Sequence, residues 1–471
     1  MNRVEVWFKD GVFDAEAEGV LRQIVSIGVA SVHDVRIARV YNIEGDFLQS
    51  DIEDIANNLL IDPVVETFVL GRQEKKGEDV EIIFNPGVMD SAEDPIKRGI
   101  KALGYDSVKA CKTSKRYIFT GESISKKDIS KICEKVLMNK LIQHVVKGKE
   151  KILLDLPSFK FKKIIIPIRN LTDQELKQLS VKRALSLDLS EMKIIKNYFV
   201  NEDRDPTDVE LETIAQSWSE HCVHKTFKSE VEVDGEILPP MFTLIKDATD
   251  SLKPKKPYLI SVFDDNSGVI SFDEDWALCF KVETHNHPSA LEPYGGAATG
   301  IGGVVRDIMG TGLSAKPIAN TDVFCFGNID VSQDDLPKGS LHPKRVLEGV
   351  FRGVRDYGNR IGVPTVNGAV LFHDDYVGNP LVFCGSVGIM PKKFSLKGEQ
   401  DPGDLVLLVG GKTGRDGIHG VNFASLELSE ESEVVSSGAV QIGDPFTEKK
   451  LIDTILKVRD KGYIKRITDC G

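Results

Sequence analysis

Phe280-Lys281-Val282-Glu283-Thr284-His285-Asn286-His287-Pro288 reads as a β-strand that ends in a polar cluster. Successive strand side chains point to opposite faces, so Lys281 and Glu283 share one face and the polar residues follow at the strand end. A cation beside a carboxylate is often no more than a surface ion pair. Here two histidines and Asn286 follow at once, which is more hydrogen-bonding capacity than a core or a plain surface needs. The segment reads as a site. Just downstream, Gly295-Gly296-Ala297-Ala298-Thr299-Gly300-Ile301-Gly302-Gly303-Val304-Val305-Arg306-Asp307 reads as a glycine-rich turn leading into a helix. Small residues let backbone N–H groups approach an anion, and a helix start adds its positive end. Arg306 can grip a phosphate in a fork, and Asp307 can hold Mg²⁺. The competing readings are a flexible turn and a helix packed closely on a sheet. The glycine order does not match the dinucleotide fingerprint.

Upstream, Thr207-Asp208-Val209-Glu210 behind Pro206 is a capping box that opens a helix. That helix is expected to end in Ser219-Glu220-His221-Cys222-Val223-His224-Lys225. His, Cys and His at this spacing suit a metal, but a fourth ligand is missing and Lys225 would repel a cation, so a solvated helix end is an equal reading. From residue 205 onward strands and glycine-rich turns alternate with helices, an α/β or α+β pattern. A boundary falls near Lys392-Lys393, before an expected strand Asp404-Leu405-Val406-Leu407-Leu408-Val409. The following Gly410-Gly411-Lys412-Thr413-Gly414-Arg415-Asp416-Gly417 contains Gly-Lys-Thr, but Val406 stands where a P-loop needs its first glycine. It is a candidate phosphate loop on some other fold.

Residues 1–150 contain a repeat: Phe8-Lys9-Asp10-Gly11-Val12-Phe13-Asp14 returns as Phe84-Asn85-Pro86-Gly87-Val88-Met89-Asp90. After a one-residue shift, Ile52, Ile55 and Leu60 answer to Ile129, Ile132 and Leu137. Each copy reads as strand, turn and amphipathic helix, with Val20, Leu21 and Ile24 on one face and Gly28 as the stop. Two copies suggest a pseudo-dimer whose sheets share a core, a scaffold without evident chemistry. Residues 151–204 read as a connector, with a short strand at Ile164-Ile165-Ile166 and a helix carrying Met192, Ile195 and Phe199.

At 471 residues the chain has room for two to four domains, and 41% hydrophobic residues supply their cores. A net charge of −12 disfavours nucleic acid as a partner. No signal peptide opens the chain, and no apolar run approaches the ~18 residues of a membrane span. The seven cysteines are scattered without a Cys-x-x-Cys pair, which points to a reducing cytoplasm and away from structural zinc.

The order of these segments is more specific than any one of them. Ser-Glu-His-Cys, Lys-Val-Glu-Thr-His-Asn-His-Pro, the Gly-Gly-Ala-Ala-Thr-Gly run, Val440-Gln441-Ile442-Gly443-Asp444-Pro445-Phe446 and Thr468-Asp469-Cys470-Gly471 together resemble the phosphoribosylformylglycinamidine synthase family over residues 205–471. The duplicated front resembles two copies of that enzyme's small accessory subunit, PurS. The implied fold is a PurS-like duplicated domain (1–150), a linker (151–204), an α/β domain like the N-terminal domain of PurM, the aminoimidazole ribonucleotide synthetase (205–392), and the start of its α+β C-terminal domain (393–471).

The resemblance implies an ATP-dependent carbon–nitrogen ligase of purine biosynthesis, which turns formylglycinamide ribonucleotide and glutamine-derived ammonia into formylglycinamidine ribonucleotide, ADP and phosphate. It implies His221 as an active-site residue and His285 as proton acceptor, with His224 and Lys281 toward ATP. Glu283, Asp307 and Asp469 would hold Mg²⁺, and Thr284, His285, Asn286, His287, Arg306 and Gln441 would bind the nucleotide substrate. It further implies partners: the remaining C-terminal synthetase half and a glutaminase domain or subunit, with no nucleic acid and no membrane. Two other readings stand beside it: another ATP-using enzyme of the same superfamily, and a noncatalytic assembly or regulatory subunit.

Overall fold

The computed structural model describes residues 1–86, 88, 90, 92–138, 142–146, 161–411, 420, 441 and 443–470. Contacts divide it into two compact units, one built on Met1–Phe159 and one on Lys160–Lys412 with Gly417–Gly471.

The first unit runs β1 (Asn2–Phe8), α1 (Ala15–Ser26), β2 (Val32–Glu44), α2 (Gln49–Ile55), β3 (Glu66–Leu70), β4 (Glu78–Phe84), α3 (Glu93–Ala102), β5 (Ala110–Gly121), α4 (Lys126–Ile132) and β6 (Gln143–Val145). One sheet takes the order β3-β1-β2-β5-β4-β6, so the two copies meet at the antiparallel β2–β5 pair. The repeat extends to a widened final helical turn in each copy, where Ile61 N–H reaches the Ala56 carbonyl and Met138 N–H reaches that of Cys133. The copies share one sheet but build two cores. One joins Ile24 of α1 to Ile132 of α4, and the other joins Ile52 and Ile55 of α2 to Ile100 of α3. Each core therefore takes a helix from each copy. Glu5 and Glu81, at matching repeat positions, are buried and neutralised by Arg3 at 2.7 and 2.9 Å, which makes them structural.

The second unit opens with α5 (Asp173–Lys182), α6 (Leu189–Asn201) and α7 (Asp208–Ser217). Capping boxes at Thr172, Asp188 and Thr207 start all three. The helices pack around Ile168, Leu176, Leu185, Met192, Ile195, Phe199 and Leu211. The strand expected at Ile164–Ile166 shrinks to a single bridge between Ile165 and Thr207. Then come α8 (Glu220–Val223), the hairpin β7 (Val231–Val233) and β8 (Glu236–Leu238), and α9 (Met241–Leu252).

A second six-stranded sheet follows, formed by β9 (Leu259–Ser261), β10 (Gly268–Ser271), β11 (Trp276–Thr284), β12 (Lys316–Phe326), β13 (Thr365–Phe372) and β14 (Leu381–Pro391). Its order is β13-β12-β14-β11-β10-β9, with β12 and β13 parallel and the other pairs antiparallel. Helices α10 (Asn286–Leu291), α11 (Pro293–Gly310), α12 (Pro343–Ile361) and α13 (Pro445–Asp460) complete the unit. The parallel pair needs a crossover, which α12 provides. Ile301, Val304 and Val305 of α11 and Val350 of α12 pack on Phe324, Phe326 and Val382 of the sheet, with Ile452 of α13 joining them.

The segment 404–409 is not the expected strand: Leu405 is 86% and Val406 98% exposed, and no ladder partner lies beside them among the described residues. A strand needs a neighbour for its backbone hydrogen bonds. The candidate loop Gly410–Gly417 falls mostly outside the described residues. All seven cysteines are free of disulfides, and no helix among the described residues is long and apolar enough to cross a membrane.

Candidate functional site

The glycine-rich stretch 295–307 is not a turn; it lies wholly inside the buried helix α11. The packing reading wins over the anion-loop reading. Each glycine costs a helix roughly 1 kcal/mol relative to alanine, so its use here needs a steric reason. A Cβ on Gly302 would stand 2.6 Å from Tyr357 Oη, and one on Gly303 would stand 2.5 Å from Glu283 Oε2. The missing side chains let α11 settle onto the sheet with the Glu283 carboxyl against it. The start of α11 is no free anion site either, because the Glu292 side chain already accepts from Gly295 N–H there.

That approach gathers charges from distant parts of the sequence. Lys281 Nζ lies 3.3 Å from Asp307 Oδ2 and 3.8 Å from Glu283 Oε1. Burial first, then a hydrogen bond and repulsion from Asp307, push the Glu283 carboxyl up to about 8, against the pull of Lys281 and Arg306. Two carboxyls so close cannot both ionise cheaply, which adds to the effect of burial on Glu283. Arg306 Nε lies 3.2 Å from Asp469 Oδ2. Asp469 is only 12% exposed at its side chain.

The segment Ser219–His224 is not the end of α7. That helix stops at Ser217, and Ser219 caps a separate short turn, α8, which ends at His224 in a left-handed conformation. Partial burial, then the charges of His224 and Lys281, lower the His221 pKa, so the first histidine cluster lies within electrostatic reach of the second. Lys225 turns away to Glu191 at 2.6 Å.

His285 follows the end of β11, its N–H bonded to the Val382 carbonyl at 2.8 Å and its ring Nδ1 buried. Desolvation pushes this imidazole down to about 4, helped by His221 and Arg306, so it is neutral at physiological pH. Asn286 Oδ1 accepts from Val382 N–H at 2.8 Å, which commits that oxygen to holding the motif on β14. Thr284 is exposed and His287 partly buried. Gln441 is exposed, with its carbonyl tied to α11 by Thr299 Oγ1 at 3.1 Å.

Glu283, Asp307 and Asp469 supply hard oxygen donors suited to Mg²⁺. Among the described residues no three His, Cys, Asp or Glu side chains already converge as a metal cage. Glu283 and Asp307 touch, whereas Asp469 joins Asp307 through Asn266, whose Nδ2 donates to Asp307 Oδ1 at 3.0 Å and to Asp469 Oδ1 at 2.5 Å. The donor set fits a divalent ion.

Two contributors escaped the sequence reading. Asn266 sits in Asp264-Asp265-Asn266-Ser267-Gly268, a polar turn before β10 that offered a signal of its own. The other is the buried pair Tyr357–Glu448, 2.5 Å apart, whose carboxyl interacts electrostatically with Arg306. Nothing in the spacing of α12 and α13 announces that contact.

Comparisons with known proteins match this arrangement segment by segment. The model described as phosphoribosylformylglycinamidine (FGAM) synthase, PurS, matches residues 2–74 and again 78–148. The formylglycinamide ribonucleotide amidotransferase linker domain matches 176–225. The N-terminal and C-terminal domains of AIR synthase related protein match 264–390 and 401–471. Phosphoribosylformylglycinamidine synthase subunit PurL of Thermoplasma volcanium is 46% identical over 307 residues, covering 65% of this chain and 38% of the relative. The Thermoplasma acidophilum subunit is 44% identical with the same coverage. A solved structure of T. maritima PurL complexed with FGAR is 33% identical, at a TM-score of 0.44, over 57% of this chain and 38% of that one. The chain thus spans 38% of the length of the Thermoplasma relatives it matches. With a duplicated PurS-like sheet, the linker helices and a clustered Lys-Glu-Thr-His-Asn-His site on an AIR-synthase-type domain, the chain belongs to the phosphoribosylformylglycinamidine synthase PurL family.

Proposed function

We propose that this chain carries the ATP-dependent synthetase site of phosphoribosylformylglycinamidine synthase. The reaction is that of formylglycinamide ribonucleotide and ammonia with ATP, giving formylglycinamidine ribonucleotide, ADP and phosphate. The observation that carries the reading is the meeting of Lys281, Glu283, Asp307, Arg306 and Asp469 beside His285, whose ring Nδ1 is buried. Phosphoryl transfer is catalysed chiefly by positioning and by charge placed around the phosphates. Lys281 and Arg306 supply fixed positive charge, His224 extends the cluster toward ATP, and His221 is an active-site residue beside it. Glu283, Asp307 and Asp469 would hold Mg²⁺, which when bound offsets phosphate charge.

Once the amide oxygen carries the phosphoryl group, ammonia adds to the amide carbon and phosphate leaves with the former C–O bond. The attacking nitrogen must lose a proton, and neutral His285 is the acceptor. Arg306, Thr284, Asn286, His287 and Gln441 orient the ribonucleotide. The division into 1–150, 151–204, 205–392 and 393–471 belongs to the same proposal, as do a cytoplasmic location, the C-terminal synthetase half and a glutaminase as partners. Phe280 and Val282, 47% and 39% exposed on the sheet face away from α11, offer apolar surface of the kind a partner covers.

The test is product formation from formylglycinamide ribonucleotide, ATP, Mg²⁺ and ammonium by the chain supplemented with the C-terminal half. ATP cleavage that depends on the ribonucleotide and is lost in Lys281→Met supports the reading. Turnover indifferent to Lys281, Glu283 and Asp307 together would overturn it.

A further inference from the structure

The side chain of Asn266 makes four hydrogen bonds, and each goes to a different residue of the site or its frame. Its Nδ2 donates to Asp307 Oδ1 at 3.0 Å and to Asp469 Oδ1 at 2.5 Å. Its Oδ1 accepts from Lys397 Nζ at 3.0 Å and from Thr468 Oγ1 at 3.1 Å. A lysine can only donate, so the amide is fixed with its oxygen toward Lys397 and its nitrogen toward the carboxylates. Lys397 is itself held by Asp265 Oδ1 at 2.5 Å, and Asp265 Oδ2 accepts from Gly312 N–H at 2.8 Å. Gly310 completes the fit: a Cβ there would stand 3.0 Å from Asn266 Nδ2 and 2.9 Å from the Asp469 nitrogen. Asp307 and Asp469 are 162 positions apart in the sequence (469 − 307), and both are nearly buried.

We propose that Asn266 is the positioning residue of the divalent-cation site, a neutral donor that holds Asp307 and Asp469 together and is oriented by Lys397 and Thr468. The inference rests on the reading of those two aspartates as metal ligands. The physical need is plain: two carboxylates facing one point repel, and a bridging N–H donor holds them without adding a charge that would compete with the cation. Lys281 and Arg306 pair with the Oδ2 oxygens of the same two acids, and Asn266 donates to their Oδ1 oxygens. Partners behind ligating carboxylates commonly set metal affinity by 10–100-fold.

The test uses the full chain with Mn²⁺ as probe, followed by electron paramagnetic resonance of the free ion and by the melting shift that Mn²⁺ causes. Asn266→Ala removes both donor and acceptor and should weaken Mn²⁺ binding by about 10-fold or more. Asn266→Asp keeps an acceptor for Lys397 and Thr468 but sets a third acid beside Asp307 and Asp469. It should melt lower than the native chain without metal and gain a larger Mn²⁺ shift. Weakened binding in the first variant with the enlarged shift in the second supports the proposal. Lower melting in both variants with unchanged Mn²⁺ affinity assigns Asn266 a purely structural role and overturns it. A native chain that binds no Mn²⁺ removes the metal reading itself, and the proposal with it.

Discussion

Lys281 Nζ stands 3.3 Å from Asp307 Oδ2, a contact that ties β11 to α11 across the packed face of the sheet. Lys281 is the cation nearest an acid pair in which burial and Asp307 hold the Glu283 carboxyl up at about 8. Replacing it with methionine keeps most of the stem and removes the charge. In the assembled enzyme Lys281→Met should lower ribonucleotide-dependent ATP cleavage by roughly 10²–10³, the usual effect of deleting one preorganised charge-stabilising group. Steady-state phosphate release measures it, and a loss below about threefold would remove Lys281 from the phosphate site.

His285 is held near a pKa of about 4 by desolvation, His221 and Arg306, so its ring is unprotonated over the whole physiological range. As proton acceptor it should be worth roughly 10²–10⁴ in turnover. His285→Ala in the assembled enzyme should show that loss in kcat with a much smaller change in ribonucleotide affinity by calorimetry. Equal losses in both would make His285 a binding group only.

Much of this arrangement is legible in the sequence. The period of two across Phe280–Glu283 placed Lys281 and Glu283 on one face, and they do face α11 together. The repeat in residues 1–150 was legible because Ile52, Ile55 and Leu60 recur as Ile129, Ile132 and Leu137 at helical spacing, and those residues line the two cores or pack against them. The glycine run misled because glycine spacing is the same for a loop that cradles an anion and a helix thinned for close contact. Only the position of Tyr357 and Glu283 against Gly302 and Gly303 separates the two. The strand expected at 404–409 is absent for another reason: an apolar run states a preference that a neighbouring strand must satisfy, and none lies beside it among the described residues. Asn266 and Glu448 escaped because their meaning lies in contacts with residues far along the chain.

The helix glycines offer a graded test. At Gly303 the atom in the way is a carboxylate oxygen at the end of a side chain, which can rotate aside. Gly303→Ala should therefore change stability by less than about 1 kcal/mol, since better helix propensity offsets the crowding, while divalent-cation binding falls as Glu283 is displaced. At Gly353 the obstruction is the backbone carbonyl of Tyr294, which cannot move alone. Gly353→Ala should cost about 1–3 kcal/mol, as overpacking does. Chemical denaturation of both variants decides it; equal destabilisation would refute the steric reading.

The last prediction concerns Glu448, buried under the Tyr357 hydroxyl at 2.5 Å with its other oxygen unpartnered. Desolvation raises its pKa to about 7, with Asp444 adding to the rise and Tyr357 and Arg306 opposing it. An acid whose folded pKa exceeds its unfolded value binds a proton more tightly when folded. Its contribution to stability is complete below about pH 4.5 and is lost as pH rises through about 7. Stability should fall between pH 5 and pH 8 by on the order of 1–3 kcal/mol from this group, the scale set by its rise from the ordinary carboxylate range to about 7. Glu283 and Asp322, whose folded values are also raised, to about 8 and about 6, push the same way, so the total slope alone does not assign the effect. Glu448→Gln isolates it: the amide keeps an acceptor for the Tyr357 hydroxyl and has no proton to lose. Denaturant titrations at pH 5, 6, 7 and 8 should show a shallower decline for the variant, with the two proteins closest in stability at pH 5 and the variant ahead at pH 8. Parallel pH profiles would mean that Glu448 ionises alike in the folded and unfolded chain, and that the Tyr357 contact does not depend on its proton.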